Sequence, residues 1–330
     1  MTEHPSPSAP EPPDTSAQPG VRVRRAFSHL PTPRLTALLV LSLATAIWGA
    51  SFVVVKDLVD DYDPMSVLVL RFAIGTAVLM VLRPQAIRAL TRGDRWRAAA
   101  IGVLLGTAQV PHYFGVRESS ASAAAFLIGT YVVATPVFDR LLYGVQATRK
   151  AVSGALLALF GLALFASGGT VSVLGLILCL SAAMLYAAQI STLGAWVPPA
   201  NLWGFTAITV CAVAVVTAIP AAVRGLEVPA STPDWLRLLY LALVAGVVAV
   251  AMQAWSQRHL SATQAAVILV MEPVWATGLA VLFTGESPTP QLLLGGAALL
   301  AANLVVGLRS KGVPARQGKT GASSHSPHRT

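Results

Sequence analysis

Two charged side chains, Arg71 and Glu272, stand inside long apolar runs of the sequence. A charge in the middle of a bilayer costs roughly 2.5–3.5 kcal/mol or more unless it faces protein or water, so each is a candidate for function. Arg71 lies seven residues beyond Pro64, about 10 Å along a helix at 1.5 Å per residue. Glu272 lies eleven residues beyond Ser261, about 16 Å in from one surface and so about 14 Å from the other, given a ~30 Å hydrocarbon core. The two depths match within a side chain's reach. One reading is an ion pair across a central cavity. A second has Glu272 exchanging a proton while Arg71 meets a substrate carboxylate. A third is a structural clamp between helices, or a neutral Glu272 bonded to a backbone carbonyl.

Aromatic and amide side chains at similar depth complete a candidate cavity: Trp48, Gln109, His112, Tyr113, Tyr131, Tyr186, Gln189, Gln253 and Trp275. Among these, His112 follows Pro111, where a bend can open the backbone; it reads as a helix-end residue or as a proton carrier. Tyr62, Trp96, Trp235 and Tyr240 fall near the ends of apolar runs, the usual place of an interfacial belt. No cluster of His, Cys, Asp or Glu suggests a metal, and no cofactor is expected. Cys179 and Cys211 lie in apolar runs and read as small hydrophobes.

The elements that must hold these groups are membrane helices. Of 330 residues 55% are apolar and only 11% charged, with a mean hydropathy of +0.67, against roughly 25% charged in soluble domains. Ten apolar runs of about 20 residues suffice to span a bilayer as helices. They are 35–55, 64–83, 97–115, 121–143, 150–167, 171–191, 202–222, 237–256, 261–283 and 289–308. Pro136 and Pro273 are expected to bend the fourth and ninth, and glycines such as Gly102, Gly106 and Gly161 to permit close helix packing. Residues 1–34 and 309–330 are polar, Pro- or Gly/Ser-rich and basic, and read as disordered tails.

If both termini are cytoplasmic, 18 of the 23 Lys and Arg fall on the inner side and four on the outer, with Arg71 inside a span. That asymmetry is the positive-inside pattern, and it requires an even number of spans. It also accounts for the net charge of +9 without a nucleic-acid partner. Residues 120–127 (Ser-Ala-Ser-Ala-Ala-Ala-Phe-Leu) reappear as 261–268 (Ser-Ala-Thr-Gln-Ala-Ala-Val-Ile), an offset of 141 that also aligns Gly144 with Gly285 and Gly154 with Gly295. Two copies of five helices, 35–167 and 168–308, insert in opposite orientation. The expected fold is therefore an all-α membrane protein of ten helices, built as two inverted five-helix repeats around a central cavity.

The chain resembles the drug/metabolite transporter superfamily, in its ten-helix EamA branch, from Leu35 to Leu308. The resemblance rests on Ile47-Trp48-Gly49-Ala50-Ser51-Phe52, on Arg71, on Ala125-Phe126-Leu127 with Tyr131 and Pro136, on Met271-Glu272-Pro273-Val274, and on Gly285-Glu286 followed by Gly295. It implies the fold just described and export of small metabolites or drugs. Where the family often carries a Glu after the glycine ending the fourth helix, this chain has Val145, with Asp139 and Arg140 nearby as a possible pair. Glu286 reads as a helix-end residue. The first span has no Glu of the kind that four-helix relatives use for proton exchange, which leaves Glu272 or His112 for any such role.

The leading expectation is a secondary transporter in the cell membrane of a bacterium. It would export small polar, amino acid-like metabolites or drugs by alternating access, with the bilayer and a small-molecule substrate as partners. The alternative is an intramembrane enzyme acting on a lipid or isoprenoid, which would need metal ligands or a nucleophile–base arrangement at membrane depth.

Overall fold

The computed structural model describes residues 33–119, 121–165, 172–196, 198–275, 278 and 290–307. The tails, the turn near 167–171 and Glu286 lie outside them. Apolar residues occupy whole helix circumferences here, so the chain forms long helices with caps at their polar ends. Asp63 caps α2 (Pro64–Leu82) by accepting from the Met65 N–H at 2.9 Å, with Pro64 in the first turn. The preceding α1 runs Pro33–Asp61. A short α3 (Pro84–Arg88) buries no side chain. Thr91 then caps α4 (Arg92–Arg117).

The fourth run is broken. It forms α5 (Ala121–Gly129) and α6 (Tyr131–Tyr143), the latter ended by Gly144 in the left-handed region (φ 64°). Next come α7 (Arg149–Phe165), α8 (Val173–Ala195) and α9 (Leu202–Arg224). The following rod starts earlier than position 237: α10 (Thr232–Leu239), a π-helical segment (Tyr240–Val248) and α11 (Ala249–Ser256) form one length of helix. Ser231 makes this possible by capping Asp234. A capping box of Ser261 and Gln264 opens α12 (Ala262–Leu269), which breaks at Val270-Met271 before a turn of helix at 272–275. Pro273 lacks the N–H that a continuous helix would direct at Leu269. The last helix is α13 (Pro290–Gly307). Five of these lengths are long and apolar enough to cross a membrane: Pro33–Asp61, Pro64–Leu82, Val173–Ala195, Leu202–Arg224 and Thr232–Ser256.

Packing follows from small residues. At Gly102 an added Cβ would collide with the Thr209 carbonyl, so glycine lets α4 lie against α9. At Gly161 it would come within 2.9 Å of the Gly295 carbonyl, joining α7 to α13. Other neighbours are α4 with α8, α2 with α9, α6 with α8, α1 with α11 and α12, and the π segment with α1 and α2. Exposed leucines and isoleucines such as Leu39, Leu156, Ile177, Ile219 and Leu304 cover the outside, as lipid contact requires.

Two sequence expectations change. Tyr240 is no belt residue: its hydroxyl donates to the Ile47 carbonyl at 2.7 Å, tying the π segment to α1. Asp139 does not pair with Arg140; it is buried and accepts from Thr263 Oγ1 at 3.2 Å, because neighbours on a helix face different ways.

Candidate functional site: a central polar cavity

A cavity of about 90 Å³ lies between the helices, and ten of the eleven candidate side chains line it: Trp48, Arg71, Gln109, His112, Tyr113, Tyr131, Tyr186, Gln189, Gln253 and Glu272. Trp275 stands apart. It is 39% exposed, and its indole N–H donates to Thr45 Oγ1 at 3.1 Å. Three residues beyond Glu272 would put the two side chains on one face of a helix, yet the indole is held by Thr45 instead of lining the cavity.

Arg71 is 4% exposed. Its Nη1 donates to the Tyr113 hydroxyl, and its guanidinium sits 4.6 Å from the Phe72 ring centre. The Nε is buried without a partner, as is the Gln109 Oε1. Each is a hydrogen-bonding group left for something else to satisfy. His112 Nδ1 and the Tyr186 hydroxyl are 2.7 Å apart, and the Tyr186 ring meets Tyr131 edge-on at 6.5 Å. Glu272 has no ion pair or hydrogen bond among the described residues; Tyr131 and Tyr186 are within its electrostatic range. Arg71 and Glu272 are thus not joined by a salt bridge, and both face the cavity.

The backbone around the cavity is irregular where it meets these groups. Trp48 Nε1 donates to the Ala245 carbonyl at 2.9 Å, within the π segment, where helix geometry is loosened. Gln253 Nε2 donates to Gln257 Oε1 at 3.1 Å, and Gln257 in turn to the Ile190 carbonyl at 2.9 Å. The α5–α6 break and the α12 break present Tyr131 and Glu272 just past each interruption.

Five pairs of lining residues are separated by the offset of 141: Trp48 and Gln189, Gln109 and Val250, His112 and Gln253, Ile128 and Leu269, Tyr131 and Glu272. Positions 141 residues apart in the sequence thus meet at one space. Apolar lining from Phe52, Phe72 and Leu105 carried no signal in the sequence, because a leucine or phenylalanine facing a cavity reads like one facing lipid.

Comparison with known proteins decides the kinship. The chain matches the EamA-like transporter family over residues 35–167 and 173–308. It belongs to the EamA-like transporter family. An uncharacterized transporter of Archaeoglobus fulgidus is 30% identical over 276 residues, covering 84% of this chain and 87% of the relative. The uncharacterized transporter YdfC of Bacillus subtilis is 24% identical over 264 residues, covering 77% and 85%. A protein of known crystal structure superimposes with a TM-score of 0.66 at 18% identity, covering 82% of this chain and 96% of that one, a likeness of fold alone. This EamA-like protein is accordingly a multi-pass membrane transporter and not an enzyme. Among its described residues no three metal-ligating side chains cluster.

Proposed function

We propose that this chain exports small zwitterionic, amino acid-like metabolites by alternating access, with the central cavity as its substrate site. The observation that carries this is the cavity itself: a buried arginine with an unsatisfied Nε, an amide oxygen lacking a donor, and an unpaired carboxyl face one small space. A zwitterion supplies what each lacks. Its carboxylate accepts from Arg71, and its ammonium donates to Gln109 Oε1 and Glu272. At about 90 Å³ the space is well under the ~300–1,000 Å³ of drug-sized pockets, which favours small metabolites over drugs.

Alternating access here rests on ten spans in two inverted five-helix repeats, 35–167 and 168–308. Shifting α2, α4 and α7 by 141 residues lands within three residues of the starts of α9, α10 and α13. The neighbour relations support the same exchange of halves. For example, α4 against α8 corresponds to the rod against α1, and α6 against α8 to α12 against α1. Interrupted helices at equivalent positions beside the cavity are the usual construction of such sites. The distribution of Lys and Arg supports a cytoplasmic side for both termini in this reading.

Glu272 is the group in this reading that takes up and releases a proton. The test is counterflow in proteoliposomes with a panel of labelled amino acids, amines and carboxylic acids. Amino acids should compete best, and Arg71→Gln should abolish the exchange. Equal competition by simple amines would overturn the zwitterion, and flux with the same pH profile in Glu272→Gln would remove the proton role.

A further inference from the structure

A second cavity, of about 460 Å³, lies on the outside of the bundle between α1, α2, α9 and the rod. Val40, Leu79, Val248 and Met252 make its apolar floor, with Trp203 and Trp255 at its edges. None of its lining residues lines the central cavity, and the π segment separates the two: Ala245 faces inward while Val247 and Val248 face the groove. The start of α1, the end of α2, the start of α9 and the end of α11 all meet here. The groove therefore opens at the end of the bundle that carries the basic α2–α4 connection.

The rim is cationic. Arg83 stacks its guanidinium 5.4 Å from the Trp203 ring centre, and the Trp203 indole N–H donates to the Leu79 carbonyl at 3.3 Å, which fixes that ring as a platform. Arg34 stands two residues before Thr36 of the groove wall, about 3 Å further along the helix axis, so its long side chain must round the first turn of α1 to reach the rim; its Nη2 is buried and has no partner. Neither arginine pairs with a carboxylate among the described residues. An apolar trough with uncompensated arginines at the headgroup level is complementary to one kind of molecule.

We propose that the groove is a binding site for a single anionic glycerophospholipid, one acyl chain lying against Val40, Val248 and Met252 and the phosphate held by Arg83 and Arg34. Basic pockets between helices bind anionic headgroups in this way. A zwitterionic lipid offers the same chain without the net charge, so selectivity falls to the two arginines.

The experiment is native mass spectrometry of the detergent-purified full chain titrated with phosphatidylglycerol or phosphatidylcholine. Wild type should hold one phosphatidylglycerol in preference to phosphatidylcholine. Arg83→Gln and Arg34→Gln should each lower its occupancy roughly fivefold, the effect of one basic residue near the surface. Arg117→Gln, at the other end of the bundle, should leave it unchanged. Ala251→Trp, which fills the groove, should remove both lipids. As a readout independent of the arginine variants, brominated phosphatidylglycerol should quench wild-type tryptophan fluorescence more than brominated phosphatidylcholine, with the difference reduced in Trp203→Phe. Equal binding of the two lipids, full retention in the double arginine variant, or a dimer that closes the groove and excludes lipid would each overturn the site.

Discussion

Arg71 and Tyr113 form a unit at the residue scale. The tyrosine hydroxyl occupies one guanidinium donor and turns the rest toward the cavity. Tyr113→Phe should leave the fold intact and weaken substrate affinity roughly tenfold, as loss of a hydrogen bond to a charged group costs about 1.5 kcal/mol; isothermal titration of the purified protein reads it directly. Arg71→Lys should not rescue Arg71→Gln, because an ammonium offers no planar fork to a carboxylate. Counterflow at least half that of wild type in the lysine variant would show that only the charge matters. Both residues were visible in the sequence as polar groups in apolar runs. Their bond was not: Arg71 and Tyr113 are on different helices, and no spacing rule links them.

Caps and close approaches govern the elements. Partial burial by itself raises the Asp63 pKa, but the hydrogen bonds from Arg224 and the Met65 N–H, with the Arg224 charge, together carry it below its ordinary 3.8. A depressed carboxyl contributes stability that is in place above pH ~4 and lost as pH falls through its folded value. Thermal stability should therefore be flat in this respect between neutrality and pH 5 and decline only in more acid solution. Asp63→Ala loses the cap and the ion pair together and should cost about 1–2 kcal/mol in a reversible denaturation assay. Gly102→Val should be far more damaging, since its Cβ meets the Thr209 backbone, which cannot move aside as a side chain can; size-exclusion chromatography should show aggregate. The apolar runs that became these helices were legible in the sequence, without the caps that the structure places at Asp63, Thr91, Ser172, Ser231 and Ser261. The π segment was not, because Tyr240–Val248 is an ordinary apolar string whose extra looseness comes from packing against α1 and α2.

For the whole molecule, the ion pairs that join residues 35–167 to 168–308, among those described, gather at one end. Arg224 bonds Asp63 at 2.6 Å, Glu227 accepts from the Asp63 N–H at 2.5 Å, and Tyr62 donates to Asp234 at 3.0 Å, with Arg237 bridging Asp234 and Asp57. Together they fasten the α1–α2 turn to the α9–α10 connection. If the halves rock, this end must part. In a background of Cys179→Ala and Cys211→Ala, a short thiol cross-linker joining Asp63→Cys to Arg224→Cys should stop transport, and cleaving the linker should restore it. Undiminished flux in the cross-linked protein would mean that this end does not open.

Read alone, the sequence determined the membrane class, the apolar runs, the offset of 141 and ten side chains that face one cavity. It could do so because burying a charge or an amide in lipid is costly enough to leave few such residues without a purpose. Which polar groups touch, that Arg71 bonds Tyr113 while Glu272 stays unpaired, and that Trp275 turns away were decided by tertiary structure alone. So was the outer groove. A lipid-facing leucine and a groove-lining one have the same chemistry, and only the positions of neighbouring helices tell them apart.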